Sequence, residues 1–206
     1  MVKQHFSSDL DHLIKKSTSG LGDSDRHLMT IFSIALATRG ATYLELGVRN
    51  GATTLPILLA AEMNQGEVFS VDINPISIEL PERLKDIWKP HQGDAIEFLK
   101  NFDKNKKIDF IYVDDWHSYE HVASELQLID RLVGPSSIIL LHDLMWGNTA
   151  PFYHVDLTLK EGQWANGGPY RAVAELDPAF WEWSTLPWNN GLTILRKKYS
   201  GLYHAV

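Results

Sequence analysis

Two glycines four positions apart bracket a turn that can hold a nucleoside. Gly47 and Gly51 follow an apolar run, Thr42 to Leu46, and precede a segment with helical periodicity. Glycine adopts positive φ and lets a ligand approach the backbone closely, so such a turn at the carboxyl end of a strand suits a cofactor. The chemistry that this spacing predicts is therefore cofactor binding.

The residues around the turn indicate which cofactor binds. A dinucleotide-binding loop has the spacing G-x-G-x-x-G, and its bare amides hold a pyrophosphate. The loop here reads G-x-x-x-G, and Glu45 stands two residues upstream of Gly47. A buried anion repels a phosphate and attracts a cation. The common adenine nucleoside with an ammonium and a sulfonium group is S-adenosylmethionine, which is the predicted cofactor.

Two aspartates after later strand patterns complete the predicted nucleoside site. Asp72 ends the second pattern, where a carboxylate can accept hydrogen bonds from both ribose hydroxyls. Asp94 follows a third, short pattern. It has two interpretations, because its carboxylate could accept a hydrogen bond from the adenine amino group or could cap the helix that follows.

Ionisable side chains are concentrated after two further strand patterns. They form two short runs, Asp114-Asp115-Trp116-His117 and His142-Asp143. Because the carboxyl ends of parallel strands meet at one edge of a sheet, these groups are expected to lie close together. Within this region we interpret Asp115 as a solvated charge and His121 as a surface or structural residue.

Short apolar runs alternate with segments of helical periodicity, which is typical of a parallel sheet flanked by helices. Strands are predicted over residues 42–46, 67–72, 90–93, 108–113 and 137–141, and helices over 24–38, 53–63, 76–88, 95–100, 119–133 and 170–176. Two last strands, 180–186 and 192–196, are joined by an Asn-Gly turn and are predicted to form an antiparallel edge hairpin. The predicted fold class is α/β, a Rossmann-like, doubly wound, mostly parallel seven-stranded sheet with this C-terminal hairpin.

The remaining segments complete the predicted organisation. Residues 1–206 are expected to form a single domain, with a helical segment over 1–40. Residues 145–168 are rich in aromatic residues and glycine with little periodicity, and we interpret them as a lid loop. The acceptor pocket is predicted to be made by the N-terminal segment and this loop.

Composition excludes several classes of partner. The net charge is −7 with no basic stripe, which argues against a nucleic-acid partner. The chain has no cysteine, so disulfides and thiolate metal sites are excluded. No apolar run approaches the ~20 residues of a membrane span, and the N-terminus lacks the apolar core of a signal peptide. The default expectation is a soluble cytoplasmic protein without a membrane partner.

Five segments in order make the chain resemble the class I S-adenosylmethionine-dependent methyltransferases, in particular the catechol O-methyltransferase-like and macrocin O-methyltransferase-like families. The segments are LELGVRNGATT, FSVDI, QGDAIEFL, IDFIYVDDWHSYE and IILLHD. The resemblance implies that Glu45, Gly47 and Thr53 face the methionine end of the cofactor. It further implies that Asp72 faces the ribose and that Asp94 and Trp116 flank the adenine.

The resemblance also implies a divalent metal, usually Mg²⁺, for which hard carboxylate oxygens are suitable ligands. Asp114 and Asp143 match two of the metal positions of the catechol-type members. The sequence departs from the pattern at Leu144, which stands where those members have asparagine. His142 is the candidate replacement ligand, although an imidazole shifts the preference towards a transition metal. Its alternative role is that of a buried, hydrogen-bonded side chain.

The predicted activity is metal-assisted O-methylation of a small-molecule hydroxyl, on a sugar, a polyketide glycoside or a phenol. His117 matches the position of the catalytic base in the resembling families, and an imidazole with a pKa near 6.5 suits that role at neutral pH. Two alternatives are a non-catalytic module that binds S-adenosylmethionine and a different, hydroxylase-like activity on the same scaffold. Related enzymes often assemble as dimers or larger, so a homo-oligomer stands as an alternative to a monomer.

Overall fold

The computed structural model describes residues 2–146, 152–153 and 156–198. In chain order, its strands are β1 Thr42–Leu46, β2 Glu67–Asp72, β3 Trp88–Gln92, β4 Phe110–Val113, β5 Ile138–His142, β6 Met145–Trp146, β7 Phe152–Tyr153, β8 Trp181–Leu186 and β9 Leu192–Lys197. Its helices are α1 Val2–Ser19, α2 Leu28–Ala37, α3 Thr54–Asn64, α4 Glu82–Lys85, α5 Ala95–Asn101, α6 Tyr119–Ile129 and α7 Gly168–Ala174. Short 3-10 helices cover Asp25–His27 and Ala165–Gly167.

Seven of the strands form one sheet in the order β3-β2-β1-β4-β5-β9-β8, and β6 and β7 pair separately. The first five strands of that order run parallel, while β9 is antiparallel to both β5 and β8. The predicted fold class is therefore confirmed. The strand order reverses between β1 and β4, which is where open α/β sheets bind ligands.

Successive side chains of a strand alternate between the two faces of the sheet, and helices pack against both faces. On β4, Phe110 and Tyr112 join a cluster that contains Leu28 of α2 and Ile57 of α3. Ile111 and Val113 of the same strand join the opposite cluster, whose members come from helices α5, α6 and α7 and include Leu99, Val122 and Ala172. Because successive strand residues point to opposite faces, one apolar strand supports both layers.

The structure corrects several predicted boundaries. The helix predicted over 76–88 is limited to α4, because Pro81 lacks an amide hydrogen and restricts the backbone of the residue before it. The helix predicted over 24–38 begins as the 3-10 turn at Asp25–His27. The C-terminal hairpin is antiparallel as predicted, but β9 lies between β5 and β8, so of the two hairpin strands only β8 is at an edge of the sheet.

The segment predicted as a lid loop is described in part. It contains β6, β7 and the 3-10 turn at Ala165–Gly167, and residues 147–151 and 154–155 lie outside the described residues. Within the described ranges, each helix is too short or too polar to cross a membrane.

Candidate functional site

Two adjoining cavities open at the carboxyl ends of the parallel strands. Leu46 of β1 is in register with Val71 of β2 and Val113 of β4, so the residues that follow these strands meet at one edge. One cavity of about 490 Å³ lies towards β2 and β3, and another of about 690 Å³ lies beneath the N-terminal segment. Gly47, Arg49 and Asp114 line both cavities. Volumes of this size are typical of small-molecule sites.

The turn after β1 depends on a glycine at its first position. Gly47 has a φ of 87°, and a Cβ atom there would lie 2.1 Å from the carbonyl oxygen of Asp114. Gly51 also has positive φ, at 75°. The close approach of β1 to the end of β4 is therefore possible only without a side chain at residue 47.

Asp72 holds this turn against the end of β2. One of its carboxylate oxygens accepts hydrogen bonds from the amides of Val48 and Arg49, each at 2.9 Å, and the other accepts from the Asn74 amide at 2.8 Å. Burial favours the neutral acid, but these hydrogen bonds outweigh it and lower the pKa of Asp72. Asp72 lines the smaller cavity as a carboxylate, in the place predicted to meet a ribose.

Glu45 lies beneath the turn and does not line either cavity. It is fully buried and accepts hydrogen bonds from the hydroxyls of Thr53 at 2.7 Å, Thr54 at 2.9 Å and Ser70 at 2.7 Å. Burial raises the pKa of Glu45 to about 7, against the lowering effect of these hydroxyls. Its observed contacts fasten the start of α3 to β1 and β2, and its contact with a cofactor stays a prediction.

Thr53 uses its hydroxyl to hold Glu45 and not to cap α3. It stands at the N-cap position, but its hydroxyl makes no capping bond and donates to Glu45 instead. Thr53 also lines the larger cavity, so the residue predicted to face the methionine end of the cofactor is next to open space.

Asp94 and Trp116 both line the smaller cavity. The Asp94 carboxylate accepts a hydrogen bond from the Glu97 amide at 2.9 Å and therefore caps α5. The helix-cap interpretation of Asp94 is thus confirmed, while its contact with adenine stays a prediction. The Trp116 side chain is 44% exposed, which leaves an indole surface free to cover a planar group.

Asp115 is not the solvated charge that the sequence predicts. Its side chain is only 18% exposed, and one carboxylate oxygen lies 2.9 Å from Nε2 of His121. His121 in turn lies 3.6 Å from the fully buried Glu125. The first turns of α6 cover Asp115, and this packing between a loop and a helix is not visible in the local sequence pattern.

Asp114, His117 and Asp143 form a group that could hold a metal ion, with one donor atom from each lying within 4.8 Å of the others. His117 Nε2 is 3.3 Å from Asp114 and 3.1 Å from Asp143. Tyr112 donates a hydrogen bond to Asp114 at 3.0 Å. One oxygen of Asp143 has no hydrogen-bond partner among the described residues. The two carboxylates offer oxygen ligands that fit a divalent cation.

The C-terminal hairpin positions Asp143. Its backbone takes a φ of 65°, and its amide donates a hydrogen bond to the Gly191 carbonyl at 3.1 Å. Aspartate is among the residues that tolerate this left-handed conformation. The antiparallel strand β9 therefore turns the carboxylate towards the end of β4. Leu144, at the position of the expected asparagine, is fully buried and offers no ligand atom.

His142 lies next to the carboxylates of Asp114 and Asp143. It is fully buried, with Nδ1 at 3.2 Å from Asp143 and 3.5 Å from Asp114. Neither of its ring nitrogens has a hydrogen bond to a described residue. Its ring packs edge-on against His27, with the ring centroids 5.6 Å apart. Its metal-ligand role stays a prediction, and both His142 and His117 approach the two carboxylates.

The surroundings of His117 favour its protonated form. Burial lowers its pKa, but hydrogen bonding to Asp114 and Asp143 outweighs burial and raises the pKa to about 9. The ring lies flat against Trp164, with the centroids 4.8 Å apart and an interplanar angle of 9°. The predicted lid segment therefore contacts the predicted catalytic base.

Sequence reasoning predicted that the N-terminal segment helps to form the acceptor pocket but named no residue there, and it missed Arg49 and Glu125. Residues of the N-terminal segment line the larger cavity, namely Lys16, Ser19, Leu21, Gly22, Asp23, Ser24 and Asp25. Arg49 forms an ion pair with Asp23 at 3.0 Å across this cavity. Glu125 stands four residues after His121, a helical spacing that could have shown that both lie on one face of α6.

Comparisons with known proteins agree with this geometry. Residues 44–144 match a family described as "Methyltransferase domain", and no curated protein sequence matches the chain. Solved structures match over nearly the whole chain. An O-methyltransferase from Bacillus cereus in complex with SAH is 14% identical, covers 94% of this chain and 90% of its own, and has a TM-score of 0.62.

Two further solved structures are similar. The SAH-bound methyltransferase PaMTH1 of Podospora anserina is 19% identical over 93% of this chain and 88% of its own, with a TM-score of 0.60. The O-methyltransferase TomG of Streptomyces achromogenes, involved in tomaymycin synthesis and in complex with SAM, is 13% identical over 96% of both chains, with a TM-score of 0.62. These identities are too low to transfer substrates, but they show the same fold. The chain therefore shares the fold of these solved methyltransferases, and its residues 44–144 match the methyltransferase domain family.

Proposed function

We propose that this chain is an S-adenosylmethionine-dependent O-methyltransferase that acts on a small-molecule hydroxyl with the help of a divalent metal. The observation that carries the proposal is the position of the Asp114, His117 and Asp143 group beside the turn at Gly47. A proton acceptor and candidate metal ligands thus stand next to the turn predicted to bind the cofactor.

The two cavities divide the proposed ligands between them. The smaller cavity takes the adenosine, with the Asp72 carboxylate accepting from the ribose hydroxyls and Trp116 and Asp94 at the base. The larger cavity takes the methionine end beside Gly47 and Thr53. It extends to the N-terminal segment, where Lys16 and Leu21 are available to contact the acceptor.

Bound S-adenosylmethionine supplies a sulfonium methyl group, which passes to the acceptor oxygen as the carbon–sulfur bond breaks and S-adenosylhomocysteine leaves. The protein must hold the acceptor oxygen in line with that bond and must accept the proton of the hydroxyl. Alignment of this kind supplies a large part of the rate enhancement in transfer reactions. The walls formed by residues 21–25 and by the turn after β1 would provide it.

His117 accepts the hydroxyl proton at Nε2 in this proposal. Nε2 faces both carboxylates and, with a pKa of about 9, carries a proton at neutral pH in the structure described. A cation bound by Asp114 and Asp143 would neutralise the charges that stabilise protonated His117, and would therefore lower the pKa of His117. His117 therefore becomes a competent base only when the carboxylates have another cation to neutralise them.

Asp114 and Asp143 are the residues that would hold the divalent metal. Bound there, the metal would supply a Lewis acid that lowers the pKa of the acceptor hydroxyl. Two observations support this assignment. Tyr112 orients the Asp114 carboxylate by a hydrogen bond, and Asp143 Oδ1, which lies 3.2 Å from His142 Nδ1, accepts no hydrogen bond from a described residue.

Calorimetry and turnover assays test the proposal together. We expect the protein to bind S-adenosylmethionine and S-adenosylhomocysteine, and to methylate at least one member of a panel of phenols, sugars and glycosides only when Mg²⁺ or another divalent metal is present. Binding of neither nucleoside would defeat the proposal. Binding without turnover over the whole panel would favour a non-catalytic module, and full turnover in EDTA would remove the metal from the mechanism.

A further inference from the structure

A second group of metal-ligand side chains lies outside the proposed reaction site. His121 and Glu125 stand four residues apart on one face of α6, and Asp115 reaches them from the loop between β4 and α6. His121 Nε2 lies 2.9 Å from Asp115 Oδ2 and 3.6 Å from Glu125 Oε1. One donor atom from each of the three residues lies within 4.8 Å of the others.

The Glu125 carboxylate provides an independent observation that points to a bound cation. It is fully buried, and neither of its oxygens has a hydrogen-bond partner in the part of the chain that the structure describes. Asp115 Oδ1 is also buried without such a partner. Burying an uncompensated carboxylate is costly, so proteins pair such groups, use them to bind metals or keep them protonated, and burial raises the pKa of Glu125 to about 8.

The imidazole alone does not compensate both carboxylates. Nε2 of His121 can present at most one hydrogen, whereas each of the four carboxylate oxygens of Asp115 and Glu125 either approaches it or has no hydrogen-bond partner among the described residues. A cation at the same point would contact the Nε2 lone pair and both carboxylates at once. Two negative charges and one neutral imidazole also match the charge of a divalent ion.

We propose that Asp115, His121 and Glu125 bind a divalent transition-metal ion, distinct from the metal proposed at Asp114 and Asp143. One nitrogen and two carboxylate oxygens are typical ligands of Zn²⁺ or Co²⁺, and the imidazole disfavours Mg²⁺. The proposal does not rest on the methyltransferase activity, because its ligand atoms and burial are independent of the cofactor.

The consequence of this ion is structural. Asp115 lies between Asp114 and Trp116, and both Asp115 and His121 line the smaller cavity. An ion joining Asp115 to α6 would hold the loop that carries Trp116 and His117. The site would therefore set the position of one wall of the smaller cavity without taking part in the transfer chemistry.

Co²⁺ is the probe for the test, because its visible d–d absorption changes when protein ligands replace water around the ion. The parent protein is the full chain with His117→Ala and Asp143→Asn, which removes two donors of the other group. We expect this parent to bind one Co²⁺ per chain. Glu125→Gln, His121→Asn and Asp115→Asn should each weaken that binding at least about tenfold, whereas Glu120→Gln, an exposed glutamate on the same helix, should not.

Circular dichroism of each variant shows whether it is folded, and only folded variants are compared. If Glu125→Gln does not fold, His121→Asn and Asp115→Asn decide the result. A folded parent that binds no Co²⁺ would overturn the proposal. Co²⁺ binding that all three ligand substitutions leave unchanged would overturn it as well.

Discussion

Nε2 of His117 lies 3.1 Å from Oδ2 of Asp143, and this contact joins the loop after β4 to the end of β5. The two residues are far apart in sequence and were assigned different roles from it, one as a base and the other as a metal ligand. In the structure they share one electrostatic environment, so the charge state of each controls that of the other.

The first prediction concerns the titration of His117. In metal-free protein, the His117 ring should titrate near pH 9, because Asp114 and Asp143 stabilise its charged form. Adding Mg²⁺, or the change Asp143→Asn, should lower the midpoint. The measurement is the pH dependence of the ring-proton NMR signals, assigned with His117→Gln. A metal-free midpoint at the ordinary value of about 6.5 would contradict the prediction.

The same shift has a consequence for stability. The folded-state pKa is raised, so pairing of His117 stabilises the fold fully below the unfolded-state value of about 6.5 and loses this effect as pH rises through about 9.

The second prediction concerns the backbone contact at Gly47. Gly47→Ala should lower the free energy of unfolding by about 2 to 4 kcal/mol, because φ is 87° and the new Cβ atom would meet the Asp114 carbonyl. Gly134→Ala is the matched control, since a Cβ there has no neighbour within 4 Å and no positive φ to adopt. Urea unfolding measures the free energy of unfolding of each variant. Equal losses of stability in the two variants would show that the close contact at Gly47 does not make a side chain there costly.

The third prediction concerns nucleoside binding by Asp72. Asp72→Asn should weaken S-adenosylhomocysteine binding by about 10- to 100-fold, because hydrogen bonds to a charged group contribute about 1.5 to 3 kcal/mol. Asp177→Asn is the control, because that aspartate is exposed and also accepts a backbone hydrogen bond, from Ala179. Calorimetry gives both dissociation constants. Equal affinity in the two variants would separate Asp72 from the cofactor.

The fourth prediction concerns the buried Glu45. Burial raises its folded-state pKa to about 7 from an ordinary value of 4.5. The folded protein therefore binds a proton more tightly than the unfolded chain, and the contribution present below pH 4.5 is lost as pH rises through about 7. As pH rises from 5 to 8, the free energy of unfolding of Glu45→Gln should therefore increase relative to that of wild type, by a difference on the order of 3 kcal/mol.

Urea unfolding at both pH values measures this difference. Glu161→Gln removes one exposed carboxyl and controls for the change in net charge. A stability difference for Glu45→Gln that does not change between the two pH values would show that Glu45 keeps its ordinary pKa in the fold.

Local periodicity in the sequence determined the order of elements and the residues at the strand ends. Apolar runs and helical spacing depend on neighbouring residues, so β1, β2, β5 and α6 could be predicted within a few positions. The two glycines and Asp72 followed from the same information, because a turn needs specific residue types at specific positions. The parallel architecture then implied that the strand-end carboxylates meet at one edge.

Only the tertiary structure decided where those side chains point. Glu45 turns inward to three hydroxyls, one of which, that of Ser70, comes from β2. His117 and His142 each lie within 3.5 Å of both carboxylates, because the Asp143 backbone is held in the left-handed region by its hydrogen bond to Gly191, next to β9. The position of Asp115 against α6 likewise depends on helix packing. These contacts join residues that are distant in sequence. They depend on strand order and helix packing, which local sequence patterns do not determine.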